Sequence, residues 1–194
     1  MFLKYLLGLL QVVLSPRRGW EDASYDGYDA EKLFKEGFLP FILLVSATIF
    51  VRALMHEEFE WLTLSFQAFV CFLKYFLTYY IAHTVMLYYL PGATDVPMSE
   101  KRTTAFLVYT IGILGAINII ANLMPVDTAV VYMLPLYLLI VIWRGTRFMA
   151  VKYENRTTFT IASVLSIVFP PILIQLLFNP VSYTHLRAHE TCAD

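Results

Sequence analysis

Charge is scarce in this chain. Of its 194 residues, 15% are Asp, Glu, Lys or Arg, well below the roughly 25% usual in soluble domains, while 59% are apolar. The two signs nearly cancel, at a formal net charge of -1, and no long run of Lys or Arg occurs. Nucleic acid is therefore excluded as a partner, because binding it needs a basic footprint. Cysteine is limited to Cys71, in an apolar stretch, and Cys192, near the end. Neither a disulfide framework nor a paired-cysteine metal motif can be built from them. G-x-S-x-G, H-E-x-x-H and P-loop motifs are missing, and no Asp or Glu falls well inside an apolar stretch, so no carboxylate pair is available for acid and base work. The expectation is a non-enzymatic protein with no cofactor and no metal. Internal repeats and low-complexity tracts are also lacking.

What the chain has instead is long apolar runs. About 20 mostly apolar residues suffice to cross a bilayer core as a helix, and five stretches approach or exceed that length: Phe38 to Leu54, Trp61 to Leu90, Thr103 to Met124, Thr128 to Trp143, and Thr158 to Phe178. The first and fourth are short, with Arg52 and Arg144 at their edges to snorkel to the headgroups. The expected fold is all-α: a polytopic bundle of five transmembrane spans.

Orientation follows from the basic residues, which are retained on the cytoplasmic side of short loops. Lys4, Arg17, Arg18, Lys32 and Lys35 precede the first span. Lys101 and Arg102 separate the second and third, and Arg144, Arg147, Lys152 and Arg156 separate the fourth and fifth. The opposite side holds Arg52 with His56, Glu57, Glu58, Glu60 and Asp127. The N-terminus is expected in the cytoplasm and the C-terminus outside, in a cell membrane, as in the cytoplasmic membrane of a bacterium.

Ahead of the spans, Phe2 to Leu14 is apolar but is followed by Pro16, Arg17, Arg18 and Trp20 rather than by the small-residue cleavage site of a secretory signal. Lys4, Gly8, Gln11 and Ser15 share one helical stripe. This predicts an amphipathic helix over 2–14 that lies in the interface or packs on the bundle, ends at Pro16, and uses Trp20 as an interfacial anchor. Glu21 to Lys35 then reads as an acidic linker. Trp20, just before it, and Tyr25, Asp26, Tyr28 and Asp29 within it are the candidate contacts for an unidentified protein partner.

From Val181 the sequence turns abruptly polar. Val181 to Thr191 matches, residue for residue, the translation of a transposase-type sequencing-library adapter. Three regions are expected: an N-terminal segment over 1–36, a membrane domain over 37–180, and a non-native tail over 181–194. His185 and His189, one helical turn apart, are accordingly not read as zinc ligands.

Inside the spans, Lys74 stands out, because a charge at mid-bilayer costs about 2.5 to 3.5 kcal/mol on insertion scales. Thr63, Gln67, Cys71, Lys74 and Thr78 share its helix face. On the third span Gly112, Gly115, Asn118 and Asn122 form another face, the small residues for close helix approach and the amides for hydrogen bonds across the contact. Packing is the plainer role for the Asn pair. Gln67, Lys74, Thr78, Asn118 and Asn122 are the candidate polar path if the protein transports a solute, with a homo-oligomer as one form of pore. His83 and Gln175 lack ligands in register for a metal.

The run Ser15-Pro16-Arg17-Arg18-Gly19-Trp20-Glu21, behind a membrane-associated segment and ahead of five spans, resembles the bacterial branch of the Yip (Ypt-interacting-protein) family. The resemblance covers Met1 to Pro180 and rests mainly on topology. Eukaryotic members have a cytosolic N-terminus, bind Rab-type GTPases and organise vesicle traffic. Their acidic and aromatic motifs are absent here, so the resemblance implies the fold and not Rab binding. The leading expectation is membrane organisation or partner recruitment through Phe2 to Lys35, with the lipid bilayer as first partner. The alternative is small-solute or ion transport around Lys74.

Overall fold

The computed structural model describes residues 1–25, 29–56, 60–124 and 129–190, with the side chains of 24–25, 55–56, 129–135 and 179–190 outside the description. Eight α-helices carry the described chain: α1 (Phe2–Leu14), α2 (Pro16–Tyr25), α3 (Ala30–Lys32), α4 (Leu39–His56), α5 (Trp61–Tyr89), α6 (Glu100–Leu123), α7 (Ala129–Phe148) and α8 (Arg156–Glu190). A π-helical segment, Leu33–Phe38, joins α3 to α4.

Among the described residues four helices are long and apolar enough to cross a membrane: Ala30–Leu54, Trp61–Tyr89, Glu100–Leu123 and Tyr153–Phe178. Helices suit this composition because each satisfies its own backbone groups without water. The hydroxyls follow the same logic. Ser46, Thr78, Thr110 and Thr160 each donate to the carbonyl four residues back, which hides a polar group within its own helix. The first expected span is extended backwards to Ala30. The region expected as its own fourth span is the 20-residue helix α7.

Between apolar helices in lipid there is little hydrophobic drive, so close packing and polar contacts hold the bundle. The small residues of α6 do this as their spacing predicted. A Cβ at Gly115 would lie 2.9 Å from the Phe41 ring and 3.1 Å from Val45, both on α4. One turn earlier, Gly112 faces Tyr5 and Leu9 of α1. Asn122 donates to the Thr48 hydroxyl at 2.8 Å, and that hydroxyl donates on to the Val45 carbonyl, so the amide ties α6 to α4. Outward positions such as Leu43, Leu62, Phe69, Leu136, Leu165 and Phe169 are exposed, as a lipid-facing surface requires.

One contact fixes the order of the ends. Thr94 and Val151 form an antiparallel bridge, Lys152 donates its amide to Ala93 and Asp95 to Ala150. The turn between α5 and α6 therefore sits against the turn between α7 and α8. Since α6 leaves that end and α7 returns to it, the two helices run the same course in opposite directions.

Candidate functional site

The N-terminal segment is built into the bundle. After Ser15, Pro16 opens α2, as its fixed backbone and missing amide hydrogen favour at a first helical position, and α2 folds back over α1. The crossing is tight: a Cβ at Gly19 would lie 2.6 Å from the Cα and 2.7 Å from the amide nitrogen of Val12. The Gln11 side-chain amide also donates to the Asp22 carboxylate across this hairpin.

Two aromatic side chains dock the hairpin. Tyr5 is fully buried and its hydroxyl donates to the Val108 carbonyl at 2.9 Å. Its ring stacks on Tyr109 at 5.6 Å between centroids and tilts against Phe41 at the same distance. Burial, and secondarily Tyr109, pushes the Tyr5 phenol well above its ordinary pKa, so it remains a proton donor. Trp20 is 3% exposed. Its ring stacks on Phe106 and on Phe148, at 5.4 and 5.2 Å, and its indole N–H reaches the Val141 carbonyl at 3.1 Å. Gly145 makes the room, since a Cβ there would lie 2.6 Å from the Phe106 ring and 3.1 Å from that of Trp20. At the far end of α1, Tyr137 donates its hydroxyl to the Val13 carbonyl at 2.7 Å.

These contacts revise the reading of Trp20 as an interfacial anchor or partner contact. The ring is enclosed by the chain's own α6 and α7, because Gly145 leaves a slot with two aromatic walls and an accepting carbonyl. Of the other candidate contacts, Tyr25 ends α2 and its side chain lies outside the described residues, as do Asp26 and Tyr28. Asp29 caps α3, its carboxylate accepting from the Glu31 amide at 3.3 Å. Much of the expected linker Glu21 to Lys35 is helical.

The intramembrane candidates divide between two places. Lys74, Asn118 and Gln175 line one cavity of about 470 Å³ between α5, α6 and α8, with walls that are otherwise largely apolar. The Lys74 ammonium lies 4.9 Å from the centre of the Tyr75 ring, a cation–π distance. Asn118 donates to Cys71 Sγ at 3.4 Å, and Tyr75 to the Leu114 carbonyl at 3.3 Å. Asn122 turns instead to Thr48, Thr78 bonds its own helix, and Gln67 is half-buried on α5. Gln175 joins the cavity although sequence spacing linked it to nothing. His83 packs its ring on Tyr79 at 5.5 Å, and its buried Nε2 has no hydrogen-bond partner among the described residues. Among the described residues no group of three or more His, Cys, Asp or Glu could hold a metal.

No protein-family model, curated protein or solved structure matches the chain.

Proposed function

We propose that this chain is a non-enzymatic integral membrane protein that crosses the bilayer five times and organises the leaflet at its basic end through the α1–α2 hairpin. The observation that carries this reading is the two-sided packing of α1. Tyr5, Leu9 and Val12 are buried in the bundle, while Leu3, Leu7, Leu10 and Leu14 are 53–74% exposed. Those four leucines recur at four-, three- and four-residue steps and so form one outward row.

The depth of α1 follows from helix rise. Val108, which holds Tyr5, is about 12 Å along α6 from Glu100, and Tyr137, which holds Val13, is about 16 Å along α7 from Phe148. Both ends of α1 are thus held at similar depth, one by α6 and the other by the Tyr137 side chain of α7. A helix lying this way, with leucines outward, takes up area in one leaflet and none in the other, which biases lipid packing there.

Five crossings are supported by the shared end of α6 and α7. If α6 crosses the bilayer, α7 brings the chain back, and its 20 residues span about 30 Å. The basic residues gather at this end, which the positive-inside tendency assigns to the cytoplasm of, we propose, a bacterial cell membrane. The kinship with the Yip family belongs to the same proposal. It is supported by the proposed five-span course and by the Ser15 to Glu21 run, which leads into and begins α2.

The test is vesicle shape. Full-length protein in unilamellar vesicles is expected to shift protein-bearing vesicles to smaller radius, and Leu7→Gln with Leu10→Gln is expected to remove about half or more of that shift. Cryo-EM radii that are equal for wild type and variant would overturn the reading.

A second reading, transport, is favoured by the Lys74, Asn118 and Gln175 cavity. Under it, Lys74→Met reaches the membrane in normal amount and loses solute flux in reconstituted vesicles. Flux unchanged by the substitution would leave Lys74 a packing residue.

A further inference from the structure

Arg17 on α2, Arg102 in the first turn of α6, and Arg144 and Arg147 near the end of α7 lie far apart in sequence but line one pocket of about 300 Å³. We propose that this pocket binds the phosphate of an anionic phospholipid headgroup. The inference rests on the membrane reading above.

Among the described residues that line it are four arginines and one carboxylate, Glu21, which Arg17 holds at 3.3 Å. The lining thus carries a net charge of +3. A tendency for basic residues to stay on one side of a membrane explains arginines at this end, but it does not explain their convergence from three helices, where like charges repel. A phosphate offsets that repulsion, and the planar fork of each arginine matches phosphate oxygens in pairs. At about 300 Å³ the pocket has room for the group and part of its headgroup. Trp20 and Phe148 form its wall. The Trp20 N–H is engaged by Val141, which leaves recognition to the arginines.

A lipid is favoured over soluble phosphate by what lies beneath. On α7, Leu136, Ile140, Trp143 and Arg147 follow one another at four-, three- and four-residue steps, all outward and exposed. One helix stripe therefore passes from an apolar run, suited to acyl chains, to the basic pocket. Basic pockets between helices on the cytoplasmic side commonly take anionic headgroups in this way.

The experiment uses the full chain in neutral detergent, titrated with phosphatidylglycerol, phosphatidylcholine or inorganic phosphate and read by thermal shift and by lipid retained after purification. Phosphatidylglycerol is expected to bind at least about tenfold more tightly than phosphatidylcholine, and Arg144→Gln with Arg147→Gln to erase the preference. Arg18→Gln with Lys101→Gln, an equal charge change outside the pocket, is expected to keep it. If the Arg144 and Arg147 variant does not fold, Arg102→Gln alone is expected to weaken the preference by about threefold or more. Equal binding of the two lipids, or a preference that survives these substitutions, overturns the proposal. Protection by millimolar phosphate equal to that by phosphatidylglycerol overturns the lipid assignment in favour of a soluble anion. Carbonate extraction of the protein from vesicles separates the two levels. Protein that washes out sinks the membrane reading and this proposal with it, whereas protein retained without lipid preference sinks this proposal alone.

Discussion

Trp20→Ala is expected to destabilise the folded protein by about 3–5 kcal/mol, the range for emptying a buried large aromatic site. The ring is 3% exposed and lies between Phe106 of α6 and Phe148 of α7. These walls belong to different helices, and Phe106 is itself fully buried, so the cavity left behind has little means of closing. Trp20→Phe keeps most of the packing and loses the bond to Val141, a change of about 1 kcal/mol. Reversible unfolding in mixed micelles checks both. A loss below about 1 kcal/mol for Trp20→Ala would return Trp20 to the role of a surface anchor.

Gly19→Ala is expected to cost about 1–3 kcal/mol, as overpacking does, despite a gain of up to about 1 kcal/mol in helix propensity. The sign is decided by what the new methyl group meets. At Gly19 it meets the Val12 backbone at 2.6–2.7 Å, and a backbone inside a helix has no rotamer by which to retreat. The α1–α2 hairpin must open, which also draws Trp20 from its slot. The expected signature is therefore a loss of stability together with greater quenching of tryptophan fluorescence by an aqueous quencher. A stabilised variant with unchanged quenching would show that the two helices are not held this closely.

The features legible in sequence were those carried by local pattern. Apolar length marked the helices, and Phe2 to Leu14 was bounded as α1 because Pro16 cannot continue it. The Gly112, Gly115 and Asn122 face of α6 was readable because three- and four-residue spacing is a property of one helix. Trp20 was misread because its environment is set by Gly145 and Phe106, about 85 to 125 positions away, and no local pattern announces that a glycine on one helix leaves a slot for a ring on another. The arginine pocket escaped for the same reason. Each arginine alone fits the charge bias of a loop, and only the docking of α2 between the ends of α6 and α7 makes them neighbours. Of the five residues expected on one polar path, Lys74 and Asn118 line one cavity, whereas Asn122, one turn on, bonds Thr48 on a different helix.

In the proposed topology α7 returns the chain through the bilayer to the end from which α6 departs, with the hairpin docked there. Labelling of single cysteines by a membrane-impermeant reagent, in a background of Cys71→Ser and Cys192→Ser, tests it directly. Cysteines at Lys101 and Lys152 are predicted to react only after the cells are permeabilised, and a cysteine at Glu60 in intact cells. Reaction of Lys101 and Lys152 positions from opposite sides would contradict the account, because the bridge between Thr94 and Val151 requires both turns to share one face of the membrane.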